Sequence, residues 1–103
     1  MIKSEIFAGV LRDVCEVTEI SEQDIMSKSK SEEIVDARHL LAATLSKGGY
    51  YPEMIAERLN ITGRAVRKML ESFPSRAANS PGLDLCRRRV EARRNTNGTA
   101  SDS

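Results

Sequence analysis

A chain of 103 residues and 11.4 kDa has room for one hydrophobic core and not for two. Hydrophobic residues make up 40% and charged residues 30%, the balance of a globular protein. No apolar run approaches the ~18 residues that span a bilayer, and Met1–Glu5 does not read as a secretory signal, so the expectation is a cytoplasmic chain with no membrane partner.

The aromatic residues are Phe7, Tyr50, Tyr51 and Phe73, with no Trp, so the core must be built from Leu, Ile, Val, Met and Ala. Cys15 and Cys86 lie far apart, no CxxC occurs and His39 is the one histidine. That excludes a disulfide scaffold and predicts reduced thiols, no metal site and no cofactor. The net charge of +1 hides a polarity: residues 1–36 carry four Lys/Arg against nine Asp/Glu, and residues 37–103 carry twelve against six. An acidic front and a basic back let a nearly neutral chain present a positive face to a polyanion.

Along Ser4–Thr18, Ile6, Phe7, Val10, Leu11, Val14, Cys15 and Val17 follow the spacing of an amphipathic helix. Ser21, with Asp24 three positions on, predicts a capped short helix through Ile25-Met26. Ser27-Lys28-Ser29-Lys30-Ser31 reads as a polar, basic linker. Ser31 or Glu32 then caps a long helix whose broad apolar face (Ile34, Val35, Ala37, Leu40, Leu41, Ala42, Leu45) makes it the centre of the core. Lys47 and Gly48-Gly49 end it. Pro52 suits the first position of the next helix, which turns Met54, Ile55, Ala56 and Leu59 inward. Asn60 tolerates the left-handed turn and Thr62 caps a further helix that ends at Phe73-Pro74. Residues 75–82 read as a linker, 83–94 as a basic C-terminal helix and 95–103 as a disordered tail. The expectation is thus an all-α domain of five or six helices over residues 1–74, followed by these additions.

The stretch from Pro52 to Glu71, PEMIAERLNITGRAVRKMLE, carries the chemistry. Ala56 is small where two helices would cross, and Ile55, Leu59, Ile61, Val66 and Met69 fill the inward positions. The pattern resembles a DNA-binding helix-turn-helix, whose second helix enters the major groove. On that reading Thr62, Gly63, Arg64, Arg67, Lys68 and Glu71 face outward. Arg64 and Arg67 have the planar fork that suits guanine O6/N7, Lys68 suits a phosphate, and Gly63 lets the backbone come close.

A wider segment, Leu11 to Phe73, resembles the C-terminal DNA-binding domain of the bacterial replication initiator DnaA. The likeness rests on Val14-Cys15-Glu16, Ile20-Ser21, Asp24-Ile25-Met26-Ser27-Lys28-Ser29-Lys30, Glu33-Ile34-Val35-Asp36-Ala37-Arg38 and Pro52-Glu53. It implies a Trp-repressor-like helical fold in which a basic loop supports the helix-turn-helix on DNA. Lys30 then matches a cation in the minor groove, Lys28 lies near for phosphate, and Arg38 matches an arginine near the DNA backbone. The family's G-G-R-D-H-[ST]-T-V signature is replaced by Leu59-Asn60-Ile61-Thr62-Gly63-Arg64-Ala65-Val66, and no G-x-x-x-x-G-K-[ST] phosphate loop occurs. The resemblance therefore implies a DNA-binding module standing alone and gives no ground for origin recognition.

Arg87, Arg88, Arg89, Arg93 and Arg94 offer either a second phosphate-binding element or a solvated helix that packs Leu83, Cys86 and Val90 on the body. His39 has no Asp, Ser or Cys partner by spacing and is expected to be structural or exposed; nothing supports catalysis. The functional expectation is sequence-specific, regulatory binding of double-stranded DNA, in transcription or replication, with a salt slope of about −4 to −5. The other class is a helical protein-interaction or dimerisation module without DNA. A homodimer is the further partner the sequence leaves open.

Overall fold

The computed structural model describes the backbone of residues 3–102 and the side chains of residues 5–94. Among the described residues there are six α-helices and no strand: α1 (Lys3–Thr18), α2 (Glu22–Ile25), α3 (Glu32–Lys47), α4 (Pro52–Leu59), α5 (Gly63–Ala78) and α6 (Pro81–Asp102). Among the described residues no helix is long and apolar enough to cross a membrane.

Local chemistry sets most boundaries. Glu19, at φ 59°, takes the left-handed turn that closes α1, and the Ile20 N–H returns to the Cys15 carbonyl at 3.2 Å. The Ser21 hydroxyl accepts from the Asp24 N–H and caps α2. Ser31 precedes α3 without a side-chain cap bond, so Glu32 and Glu33 meet the helix dipole alone. Gly49, at φ 102°, turns the chain out of α3. Pro52 opens α4 and left-handed Asn60 (φ 56°, ψ 46°) closes it.

The central helix is α3, packed against each of the other five. Its Ala37, Leu40, Leu41, Ala42 and Leu45 are buried, meeting Val10, Leu11 and Val14 of α1, Ile55, Ala56 and Leu59 of α4, and Val66 and Phe73 of α5 in one core.

The sequence pattern fails toward the C-terminal end. Helix α5 continues through Pro74 to Ala78, so residues 75–78 are helical and the expected linker shrinks to Asn79 and Ser80. A proline inside a helix costs about 3 kcal/mol. Burying a Phe side chain returns about 1.5–3 kcal/mol, and here Phe73 is buried with Ala77 one turn on. The Arg76–Asp36 ion pair also ties this last turn to α3. Ser80 starts the next helix at once, its hydroxyl accepting from the Leu83 N–H.

Helix α6 is correspondingly part of the domain and not an appendage to residues 1–74. Leu83 and Val90 are buried, and α6 packs on α1, α3 and α5. Residues 95–102, expected as part of a disordered tail, instead continue α6; their side chains, and Ser103, lie outside the described residues.

Candidate nucleic-acid interface

The α4–α5 pair is built by turn chemistry. The Ile61 N–H returns to the Ala56 carbonyl at 3.0 Å across left-handed Asn60, and the Thr62 hydroxyl accepts from the Ala65 N–H at 3.0 Å. Ile55, Ala56, Leu59 and Val66 bury the contact between the helices, with Ile61 and Met69 packed at its edge. The first two turns of α5 are thereby fixed, and their outward residues Arg64, Arg67 and Lys68 are exposed. Among the described residues neither Arg64 nor Lys68 has an ion-pair partner. Arg67 differs: its guanidinium pairs with Glu53 in the first turn of α4. A Cβ at Gly63 would lie 3.6 Å from Arg67 Nη1 and 3.8 Å from Glu53 Oε1, so the glycine sits beside that pair. Thr62 spends its hydroxyl on the cap.

The second group of cations lies in the segment between α2 and α3. Lys28 and Lys30 are exposed, whereas Ser27 and Ser29, which alternate with them, are half-buried. The serines turn to the backbone: the Ser29 N–H donates to the Ser27 hydroxyl and the Ser31 N–H to the Ser29 hydroxyl, both at 3.2 Å. The Ser27 hydroxyl itself donates to the Asp24 carbonyl at 2.6 Å. From α3, Arg38 closes the segment. Its Nε donates to the Ile25 carbonyl at 2.9 Å, and its Nη2 to the Ser27 carbonyl at 2.6 Å and the Ser29 carbonyl at 3.3 Å. Burial lowers the Arg38 pKa from the ordinary arginine value.

The candidate residues therefore fall into two sets. Thr62, Gly63, Arg64, Arg67 and Lys68 share the start of α5, while Lys28, Lys30 and Arg38 share the 26–31 segment. Segment and helix are both anchored on α3, and α2 packs on α1 and α3 without packing on α4 or α5. The resemblance sets Arg38 near a DNA backbone; its guanidinium is instead engaged with the protein's own carbonyls. Sequence reading also missed two contributors. The alternation Ser-Lys-Ser-Lys-Ser is the signal for the ordered segment, and the spacing of Glu53 to Arg67 across the turn carries no local signal at all.

The arginine-rich helix resolves toward packing. Arg87 pairs with Asp84 at 2.7 Å and Glu91 at 2.9 Å, Arg88 with Asp84 at 3.1 Å, Arg93 with Glu16 at 2.6 Å and Arg94 with Asp13 at 3.0 Å. The hydrogen bonds Arg87 donates to Asp84 and then to Glu91 raise its pKa above the ordinary arginine value. Arg93 and Arg94 thus tie α6 to α1, whereas the pairs of Arg87 and Arg88 lie within α6 and Arg89 is exposed.

A cleft of about 480 Å³ between α3, α5 and α6 is the other concavity of note. Its charged rim of Lys47, Asp84, Arg87 and Glu91 is closed on itself by ion pairs. Among the described residues no group of His, Cys, Asp and Glu could hold a metal ion. No family model, curated protein or solved structure matches this chain.

Proposed function

We propose that the chain binds double-stranded DNA, with α4 and α5 acting as a helix-turn-helix in a Trp-repressor-like arrangement and the start of α5 entering the major groove. Such binding is sequence-specific and regulatory, in transcription or replication, as in a DnaA-like DNA-binding module. The observation that carries the reading is the outer face of α5: Arg64 and Lys68 project from a capped, buried-backed helix, with no ion-pair partner among the described residues, and no large apolar residue of α5 is exposed. An arginine in that position reads a guanine edge and a lysine neutralises a phosphate.

The test is a titration of the full chain with random-sequence duplex at two salt concentrations. Arg38 and Arg67 are engaged within the protein, leaving Lys28, Lys30, Arg64 and Lys68 as the unpaired cations of the site. With Arg64 directed to a base edge, the three lysine–phosphate contacts give a slope of log K on log[salt] of about −2.7 on random duplex. Absence of binding at ~50 mM salt, or binding indifferent to salt, overturns the proposal.

A further inference from the structure

One guanidinium donates to three carbonyls that alternate along the chain, those of Ile25, Ser27 and Ser29. Met26 leaves α2 in a helical turn (φ −82°, ψ −5°), and beyond it the Ser27 and Ser29 carbonyls, two residues apart, face the same side, as a backbone with a period of two places them. Lys28, between Ser27 and Ser29, and Lys30, just after Ser29, are exposed. We propose that Arg38 is a positioning residue for nucleic-acid binding: it holds the chain from Ser27 to Lys30 in one shape beyond the turn at Met26, so that Lys28 and Lys30 project side by side and meet consecutive phosphates of one strand. This rests on the DNA-binding reading and adds to it a preformed two-lysine grip that works beside α5.

The physical reason is entropy. A lysine on a free linker must be ordered at the moment of binding, and fixing each residue of backbone costs on the order of 1–2 kcal/mol. Here the ordering is done in advance by bonds that owe nothing to DNA: the Arg38 fork on one side and the Ser27 and Ser29 hydroxyls along the chain. The choice of arginine follows from its donors, since a planar guanidinium spreads several N–H groups across neighbouring acceptors where a lysine ammonium is a point. Preorganisation of this kind raises affinity without adding a contact.

The experiment compares the wild-type chain, Arg38→Lys, Ser29→Ala and the double variant Lys28→Ala/Lys30→Ala, each titrated with random-sequence duplex across a salt series. Amide hydrogen exchange of residues 27–31 is followed without DNA. Arg38→Lys keeps the charge and loses the fork, so exchange in the segment speeds up while helix content by circular dichroism is kept. Removing both lysines weakens binding about ten-fold and reduces the salt slope by about 2. Arg38→Lys weakens binding by several-fold, and the same change made on the double-lysine background has less than about two-fold effect, because there is no longer a grip to position. Ser29→Ala loosens the segment without touching α3 and gives a smaller loss in the same direction, which keeps the proposal testable should Arg38→Lys unfold.

Equal losses from Arg38→Lys in both backgrounds overturn the proposal, since Arg38 would then touch the strand itself. So does unchanged exchange of the segment in Arg38→Lys. If the wild-type chain binds duplex but removal of both lysines leaves affinity and slope unchanged, the grip is refuted and α5 remains as the binding element. Failure of the wild-type chain to bind refutes the underlying reading instead.

Discussion

Arg94 Nη1 lies 3.0 Å from Asp13 Oδ2, so the end of the described part of α6 is fastened to a carboxylate that α1 holds 4% exposed. Arg93 stands behind it, 3.6 Å from the other carboxylate oxygen and 2.6 Å from Glu16. Removing one partner of a buried pair strands the other charge away from water, which costs about 3–5 kcal/mol when no substitute is near. Here Arg93 is the substitute. Arg94→Ala is expected to destabilise the domain by about 1–2 kcal/mol, and Arg93→Ala/Arg94→Ala by about 3 kcal/mol. Urea unfolding measures both, and a double variant within ~0.5 kcal/mol of wild type refutes an electrostatic fastening of α6.

His39 gives the domain a pH dependence above the carboxylate range. Its Nδ1 lies 2.8 Å from the Val35 carbonyl, which can only accept, so the neutral ring carries its proton there and donates it. Burial lowers its pKa below the ordinary 6.5; the Val35 hydrogen bond and Asp36 oppose that shift, while Arg76 and Arg38 reinforce it. The unfolded chain then binds the proton more readily than the folded one, so stability is full above about pH 6.5 and declines as pH falls below it. Asp84, held low chiefly by the Arg87 hydrogen bond, loses its stabilising ionisation below its ordinary 3.8. Glu91 does so below its ordinary 4.5: burial pushes it up, but hydrogen bonds from Lys47 and Arg87 outweigh that. The interval between about pH 6.5 and 5 therefore belongs to His39. A lower urea midpoint at pH 5.5 than at pH 7.5 in wild type, flattened in His39→Gln, is the expected outcome; an unchanged profile in the variant removes His39 as the cause.

What could be read from the sequence was what is local. Thr62, Asn60, Pro52 and Ser21 act on neighbours within a few positions, and each sets the helix end that its chemistry predicts. The aliphatic periodicity of α3 likewise located the central helix. Pro74 misled because its penalty is local while the compensation is tertiary: Phe73, Ala77 and the Arg76–Asp36 pair act through α3 and the core. Asp13 was illegible for the same reason, since nothing near it announces arginines eighty-one positions away.

The site divides along the same line. The outward cations of α5 follow from helical spacing alone. The structure of the 26–31 segment does not, because half of it depends on Arg38 reaching back from α3 over up to thirteen positions. Compositional reading sees only polar residues without a hydrophobic pattern there, and that is the description of a flexible linker.

Glu53 is expected to restrain DNA binding through Arg67. The pair bridges α4 and α5 with side chains 56% and 64% exposed, so solvent screens it and its contribution to stability is small, about 0–1 kcal/mol. A phosphate or guanine must nevertheless displace or share it. Glu53→Gln frees the Arg67 fork and removes a negative charge from the same surface. Affinity for random duplex should rise about three- to ten-fold, with the salt slope steeper by about 1 and the unfolding midpoint unchanged. A fall in affinity would mean that Glu53 instead orients Arg67 productively.

Arg64 and Lys68 should separate sequence reading from backbone grip. Both project from the same exposed face of α5, one turn apart, but a guanidinium matches the paired acceptors of guanine whereas an ammonium neutralises whatever phosphate lies near. Selection of bound sites from a randomised duplex pool identifies the preferred sequence. Against it, Arg64→Ala should lose about 1–3 kcal/mol on the preferred site and little on random duplex, relaxing preference at one or two positions. Lys68→Ala should weaken both alike and flatten the salt slope by about 1, and Lys28→Ala should do the same from the other set of cations. The asymmetry decides the geometry: if Arg64→Ala and Lys68→Ala alter preferred and random duplex in the same proportion, α5 lies across the phosphates and its arginine does not reach the base edges.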